Sequence, residues 1–132
     1  MKALFPHAAT TRGITVRVSV SHMAEQSDAR RGKWFWAYHI RIENGGTRAA
    51  QLISRRWLIT DGRGARHEVR GDGVVGEQPV IEPGGTYDYV SGWPLPTPTG
   101  QMEGSFHMIG DDGGGFDVRI PRFSLIAPVT AG

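Results

Sequence analysis

Three glycines, Gly71, Gly73 and Gly76, have the G-x-G-x-x-G spacing of a phosphate-binding loop. In such loops the glycines let the backbone approach a pyrophosphate, and a helix that begins directly afterwards presents unpaired N–H groups to the anion. Here Pro79 follows closely and residues 79–81 have strand-like composition. Since proline blocks helix growth, the sequence favours a structural crossover loop, and nucleotide or pyrophosphate binding, with hydrolysis as an extension, is the alternative.

The structural interpretation makes two predictions about this segment. The glycines supply positive φ angles, and Val74 and Val75 pack on the core. The segment after Gly76 separates the hypotheses: a helix favours phosphate binding, whereas strand or coil favours an interaction role.

Two other segments combine the residue types that dominate protein interfaces, which are aromatic residues and arginine. One contains Trp93 and Leu95 within residues 93–100, a stretch with three prolines that predicts a stiff extended connection instead of a strand. The other contains Arg55 and Arg56, directly before Trp57. The alternatives are that Trp57 is a core residue and that the proline-rich segment only crosses between sheets.

Catalytic and metal-binding patterns are absent from the sequence. The surroundings of Ser91 do not match G-x-S-x-G, and His-Glu-x-x-His does not occur, so we expect no enzymatic activity. The five histidines lack the short spacings of paired metal ligands, although the predicted strands could still bring His39 and His107 together. Asp111 and Asp112 fit a hairpin tip better than a calcium loop. We expect no metal and no cofactor, and direct divalent-cation binding remains an alternative.

Composition limits the class of protein. The chain has 132 residues, no cysteine and a formal net charge of +2. The absence of cysteine excludes disulfides and thiolate metal sites. The small positive charge is spread among carboxylates, so we expect no nucleic-acid partner. Neither a signal peptide nor a run of about 20 apolar residues is visible, which predicts a soluble cytoplasmic protein without membrane contact.

Period-two alternation of apolar residues predicts the elements that position these groups. It is clearest in residues 14–21 and 34–43, where the second strand carries aromatic residues on its core face. About seven short antiparallel strands, punctuated by Gly and Pro, predict an all-β sandwich of the immunoglobulin-like or fibronectin type III-like class. Residues 1–126 form a single domain in this prediction, and residues 127–132 form a loose tail.

Two local irregularities stand out in the strand pattern. Asn44-Gly45-Gly46 is typical of a tight hairpin, so we expect the strand of residues 34–43 to pair with the next strand along the chain. In that next strand the alternation breaks at residues 54–56, and one inserted residue restores it. The sequence therefore predicts a β-bulge there.

Several segments share a distinctive order and spacing. They are Tyr38, Ile40 and Ile42, and residues 51–62, 69–79, 89–92, 100–106 and 120–123. Together they resemble the ApaG family, also called CorD. The resemblance covers nearly the whole chain, with Arg56 standing where the family pattern usually has histidine.

The resemblance implies a fibronectin type III-like or immunoglobulin-like sandwich and a link to cobalt tolerance and magnesium efflux. It also implies a role in protein contacts, and it supplies no established catalytic activity. The hypothesis is therefore a non-enzymatic interaction module with an unidentified protein partner, for which homo-oligomerisation stays open. The candidate partner-binding residues are Trp93, Leu95, Arg55 and Arg56.

Overall fold

The protein is a β-sandwich, as the sequence predicts. The computed structural model describes residues 5–128, which form nine strands and two short 3-10 turns, Ala24–Gln26 and Ala29–Arg31. All strand pairs are antiparallel. No helix in residues 5–128 has the length and hydropathy of a membrane span.

The strands divide into two sheets. The first sheet consists of β1 (His7–Thr11), β2 (Ile14–His22), β3 (Trp34–Asn44) and β7 (Thr86–Leu95). The second consists of β4 (Ala50–Asp61), β5 (Arg66–Asp72), β6 (Val80–Ile81), β8 (Thr99–Gly110) and β9 (Gly115–Ile126). The first sheet has the order β1-β2-β3-β7 and the second the order β5-β4-β8-β9, with β6 also pairing with β4.

The core lies between the sheets and follows the predicted alternation. Every second residue of β3 from Trp36 to Ile42 is buried, and the intervening side chains are partly exposed. An aromatic cluster joins the two layers, because the Tyr38 ring lies 5.3 Å from Trp57 and 6.2 Å from Phe123, centroid to centroid. Burial of these large side chains is the main force that holds the sheets together.

The strand β1 is an element that the sequence pattern did not predict. Its residues, His7–Thr11, are small or polar and only partly buried, so they carry no apolar alternation. It forms through main-chain pairing with β2 across a two-residue turn, in which Arg12 and Gly13 both have positive φ.

The predicted tight hairpin at Asn44 is wrong. Strand β3 pairs with β2 and β7, whereas β4 belongs to the other sheet, so residues 45–49 cross between layers. Asn44 is buried and organises this crossing, because its Nδ2 donates to the carbonyl oxygens of Arg48 and Ile81 at 2.8 and 2.9 Å. An Asn-Gly pair thus forms a sheet-to-sheet corner here, where side-chain capping replaces the hairpin turn.

The prediction that Trp93-Pro94-Leu95 is a connection outside the strands is also wrong. These residues complete β7, and Leu95 lies opposite Trp34 in β3. Strand β7 is the last strand of its sheet. Proline is tolerated there because a missing N–H on the outer side costs no ladder hydrogen bond.

Two other predictions concern β4 and the carboxyl end. A β-bulge in β4 is confirmed, but the register between β4 and β8 shifts between Leu52 and Ser54, just before the predicted residues 54–56. Ala127, the first residue of the predicted tail, is buried and its N–H donates to the Pro98 carbonyl at 2.8 Å. Residue 127 therefore packs with the domain, and residues 129–132 of the predicted tail lie outside the described residues.

Candidate functional site

A polar cleft opens between the sheets at the edge where β5 and β7 lie. Its volume is about 290 Å³. Tyr38, Trp57 and Tyr89 form one part of its lining, and Arg55, Ser91 and residues 72–76 form the rest. This arrangement unites two groups that the sequence analysis treated separately, because the glycine loop (residues 71–79) and Arg55 border the same space.

Arg55 is held at the cleft by the glycine loop. Its Nη1 donates to the carbonyl oxygens of Asp72 and Gly73 at 3.1 and 2.9 Å. A Cβ atom at Gly71 would lie 2.7 to 2.8 Å from the guanidinium atoms, so glycine at this position makes room for Arg55. Among residues 5–128 these two carbonyls are the only side-chain hydrogen-bond partners of Arg55, which leaves its Nε–H and both Nη2–H groups available.

Arg55 differs from the other half-buried arginines of residues 5–128 in lacking a carboxylate. Arg17, Arg41 and Arg56 form ion pairs with Glu43, Asp88 and Glu68 at 2.9, 3.1 and 3.4 Å. The exposed Asp72 carboxylate borders the same cleft as Arg55, but the two side chains do not reach ion-pair distance. A partly desolvated cation without a counter-charge is costly unless a ligand supplies one.

Three side chains that carry hydroxyl groups, Tyr38, Tyr89 and Ser91, line the cleft together with Arg55. Tyr38 lies directly opposite Ser91 on the neighbouring strand. The Tyr89 side chain is 92% buried (8% exposed), and its hydroxyl has no hydrogen-bond partner within residues 5–128. Burial raises the pKa of Tyr38 and raises that of Tyr89 well above its ordinary value, against the opposing effect of nearby Arg55. Both phenols therefore remain protonated at neutral pH and can donate hydrogen bonds.

The glycine loop does not have the architecture of a phosphate-binding loop. Residues 77–79 are not helical, and β6 follows them. The N–H groups of Gly73, Val74 and Glu77 donate within the protein, to Ile53, Glu77 and Val74 carbonyls at 2.7, 2.8 and 2.9 Å. These donors are therefore already used in a tight turn and are not directed at an anion.

The predicted positive φ angles occur at Gly73 and Gly76 but not at Gly71. A Cβ at Gly73 would also lie only 2.2 Å from the Glu77 carbonyl oxygen, so this turn requires glycine for space as well. Val74 is fully buried as predicted, whereas Val75 is 64% exposed and has a φ of 48°. The prediction that both valines pack on the core is thus correct for Val74 and wrong for Val75.

The side chains of Arg56 and Arg55 leave opposite faces of β4, since Arg55 lies opposite the buried Phe106 and Arg56 lies opposite Ser105. Arg56 borders a larger outer depression of about 520 Å³ on the second sheet, and the lining of this depression also includes Arg55 at the sheet edge. The charges there neutralise one another, because Arg56 and Arg70 both bind Glu68 and His107 binds Asp117 at 2.8 Å. The arginine that departs from the family pattern is therefore placed in a balanced surface network.

Trp93 and Leu95 do not form an exposed docking loop. Leu95 is 2% exposed and belongs to the core, so it is not available to a partner. Trp93 is partly buried, packs against the core and lies opposite Trp36. The alternation of β7 directs Leu95 and Trp93 to the same inner face as Ser91 and Tyr89.

His39 and His107, which the sequence left open as a pair of metal ligands, lie apart. His39 is on the outer face of the first sheet, where it binds Asp88 at 2.8 Å, and His107 is on the outer face of the second sheet. The two sheets therefore separate them, and the idea that the fold brings them together is wrong. Residues 5–128 contain no group of three or more His, Cys, Asp or Glu side chains that could hold a metal ion.

Sequence reasoning missed Tyr38, Tyr89 and Ser91 as site residues. Tyr38 and Tyr89 occupy inner positions of alternating strands, where aromatic residues usually serve only as core. A usable signal was Ser91, a small polar residue that interrupts the otherwise apolar inner face of β7.

Comparison with known proteins identifies the family. The model of the ApaG domain matches residues 24–110. A protein named ApaG from Rhodospirillum centenum is 50% identical over 122 residues, covering 92% of this chain and 94% of that protein. Another from Thiobacillus denitrificans is 52% identical over 115 residues, covering 87% and 91%. The crystal structure of an ApaA protein from Bordetella pertussis superposes with a TM-score of 0.85 and 49% identity, covering 89% of this chain and 95% of that one. From these matches we conclude that the chain belongs to the ApaG family.

Proposed function

We propose that this protein is a non-enzymatic binding module that captures an extended segment of a partner protein along the free edge of β7. The observation that carries the proposal is the geometry of that strand. It has ten residues, pairs with β3 along its length and has no strand neighbour on its other side within residues 5–128. An unpaired edge of this length is a template for an added strand.

The register identifies the backbone groups that are available. The Asn44 N–H donates to the Gly85 carbonyl, so Asn44 and every second residue of β3 direct their main-chain groups towards β7. By the same alternation Tyr87, Tyr89, Ser91 and Trp93 are bonded to β3. The outward-facing positions of β7 are therefore Asp88, Val90, Gly92 and Pro94.

Natural proteins usually protect such an edge. Pro94 protects one end of β7, since its outward position has no N–H to offer. Asp88 contributes a charged side chain at the other end, where it pairs with His39 and Arg41. The positions from Val90 to Gly92 lack both kinds of protection, and Val90 is an exposed apolar side chain at 60% exposure. The unprotected part of the edge lies next to the cleft, which favours a binding role over a merely structural one.

The cleft itself supports binding without catalysis. Its polar lining consists of the Arg55 guanidinium, the hydroxyl-bearing side chains Tyr38, Tyr89 and Ser91, and the exposed Asp72 carboxylate. The raised pKa values of Tyr38 and Tyr89 keep the two phenols protonated, so the phenols and the guanidinium act as hydrogen-bond donors and not as bases near neutral pH. We propose that cobalt tolerance and magnesium efflux, which the family resemblance implies, depend on the bound partner and not on metal coordination by this chain.

A strand-blocking substitution tests the proposal. Peptides would be selected from a random nonapeptide phage library on the wild-type protein, and their affinities measured for Val90→Pro and for the matched control Val90→Thr. Val90→Pro removes an outward N–H that takes no part in the β3–β7 ladder, so it should leave the fold intact and lower peptide affinity at least tenfold. Val90→Thr keeps the N–H and should bind normally. Equal binding by both variants, or a selection without enriched peptides, contradicts the proposal.

Direct titrations test the two alternatives. If pyrophosphate binds at the glycine loop, saturable NMR shifts will be confined to the amides of Gly71, Gly73 and Gly76; we expect none, because neighbouring donors are already bonded. Calorimetry with cobalt and magnesium should likewise give no stoichiometric micromolar binding, and such binding would establish a direct metal role.

A further inference from the structure

We infer that the cleft beside β7 recognises an aspartate or glutamate side chain on the captured segment, with Arg55 as its counter-ion. This inference rests on the proposed function and names the chemistry of the partner. Among the half-buried arginines of residues 5–128 Arg55 alone lacks a carboxylate, while its Nη1 is fixed by two backbone carbonyls.

The fixed guanidinium suits carboxylate recognition. The Nη1 hydrogen bonds hold the planar group in one orientation, so the Nε–H and Nη2–H donors are positioned before a ligand arrives. Arginine binds carboxylates through pairs of parallel hydrogen bonds, which are stronger and more directional than those between neutral groups. Because the guanidinium is only partly exposed, water screens this attraction less than it does at an open surface.

A second, independent observation is the unsatisfied Tyr89 hydroxyl. It belongs to a side chain that lines the cleft and is more than nine-tenths buried. Within residues 5–128 this hydroxyl has no hydrogen-bond donor or acceptor as a partner. A buried hydroxyl without a partner destabilises the free protein. The Ser91 hydroxyl and the protonated Tyr38 border the same space, so several donors surround one cation.

Strand addition at β7 determines which residue of the segment enters the cleft. Side chains directly opposite one another in paired strands lie on the same face of the sheet. Ser91 lies on the inner face of β7 and borders the cleft. The segment residue opposite Ser91 therefore directs its side chain inwards, towards Arg55, and this is the position at which we expect Asp or Glu. Its immediate neighbours lie on the outer face.

Asp72 provides a second test of the preference for an acidic side chain, because removing its negative charge should strengthen binding. Its carboxylate borders the cleft and repels an incoming acid, although its exposure to solvent weakens the effect. Asp72→Asn should therefore increase affinity for an acidic segment by a small factor and leave a neutral segment unaffected. No such dependence is expected if the cleft merely accommodates uncharged side chains.

The experiment uses the peptides selected on the wild-type protein. We expect an Asp or Glu at one constant position, and its replacement by Asn or Gln should weaken binding about tenfold or more. Arg55→Gln should cause a similar loss, and the two changes together should cost little more than either one. Arg56→Gln is the matched control: it removes the adjacent arginine on the opposite face and should leave the affinity unchanged.

The outcomes separate this inference from the proposed function. Peptides that bind wild type and Arg55→Gln equally, yet lose affinity for Val90→Pro, overturn the carboxylate inference and leave strand capture intact. Peptides whose affinity is unchanged by Arg55→Gln and by Val90→Pro contradict both the carboxylate inference and strand capture. N-acetylglutamate amide serves as a small probe without a strand. If it binds as tightly as the peptides, the cleft is a site for a free carboxylate, which contradicts the inference as stated.

Discussion

At one edge of the sandwich β1 and β9 lie against each other, whereas at the opposite edge β5 and β7 do not pair. The first edge is sealed by apolar and aromatic contacts, including the ring of His7 at 6.0 Å from Phe123, and by the Arg119 N–H, which donates to Thr11 Oγ1 at 3.2 Å. The second is bridged by the glycine loop, where the Tyr87 hydroxyl donates to Glu77 at 2.9 Å.

The side chains between the sheets explain the difference. At the sealed edge, Phe123 and Leu125 are buried and fill the space. At the open edge the corresponding space is lined by Arg55, Ser91 and Tyr89, whose buried hydroxyl is unpaired within residues 5–128. The contrast indicates that one edge contributes stability while the other retains unsatisfied groups, an arrangement typical of a binding site.

The largest expected effect comes from breaking the sealed edge. Phe123→Ala removes a ring that contacts Tyr38, Trp57 and His7, and it should lower the free energy of unfolding by about 4 kcal/mol. Denaturant titration measures the loss. Arg122→Ala, an exposed neighbour on the same strand, should change stability by less than about 0.5 kcal/mol. Similar losses for both variants would show that β9 is not anchored through Phe123.

A smaller effect is expected when the open edge loses its fixed guanidinium. Gly71→Ala directs a methyl group at Arg55, displaces it from the Asp72 and Gly73 carbonyls, and should cost about 2 kcal/mol of stability. The same substitution in an Arg55→Ala background should be nearly neutral, which a double-mutant cycle detects. A full loss in that background would assign the cost to the backbone and not to Arg55.

Removing the unsatisfied Tyr89 hydroxyl at the open edge should raise the free energy of unfolding. Tyr89→Phe deletes a buried hydroxyl that has no partner within residues 5–128, so the variant should be more stable than wild type by about 1 kcal/mol. The same variant should bind the selected acidic peptides less tightly. A loss of stability in Tyr89→Phe would mean that the hydroxyl is satisfied in solution.

The pH dependence of Tyr89→Phe provides an independent check. Burial raises the pKa of Tyr89 in the folded state, whereas in the unfolded chain the phenol ionises near its ordinary value of about 10. Below about pH 10 the phenol is protonated in both states, so its ionisation does not affect the free energy of unfolding. As the pH rises from about 10 towards the raised native pKa, the phenol ionises only in the unfolded chain, and the free energy of unfolding falls. Above about pH 10, wild type should lose stability more steeply than Tyr89→Phe. Parallel curves would contradict this assignment.

The smallest expected effect concerns the turn that borders the cleft. Val75 has a φ of 48°, which a β-branched residue adopts only at a cost, so Val75→Asn should raise stability by about 0.5 kcal/mol. Val80→Asn is the control, because Val80 is similarly exposed at 55% but lies in a strand. A gain at both positions would indicate that replacing an exposed apolar side chain, and not relief of backbone strain at Val75, raises stability.

Much of the fold was predictable because it depends on local alternation. The inner faces of β2 and β3, the bulge in β4 and the strands around Asp111 and Asp112 all follow from spacing along the chain. Strand β1 was missed because pairing with β2 stabilises it without an apolar pattern of its own. Asn44-Gly45 was misjudged because the same dipeptide can form a hairpin or a corner, and long-range contacts select between them.

The candidate site was predictable only in part. Arg55 and the glycine loop were recognisable by residue type, but Arg56 and Leu95 looked equally suitable as docking residues. Burial assigned Leu95 to the core, and strand alternation placed Arg56 on the opposite face of β4.

By itself, the sequence determined the layered β architecture, since alternating apolar side chains leave an extended chain few ways to bury them. Only the tertiary structure decided which edge is sealed and which polar groups meet at the other. Tyr38, Arg55 and Tyr89 come from three strands in two sheets, and their proximity depends on how those sheets stack. Stacking results from the packing of the whole core, which no single segment of the chain encodes.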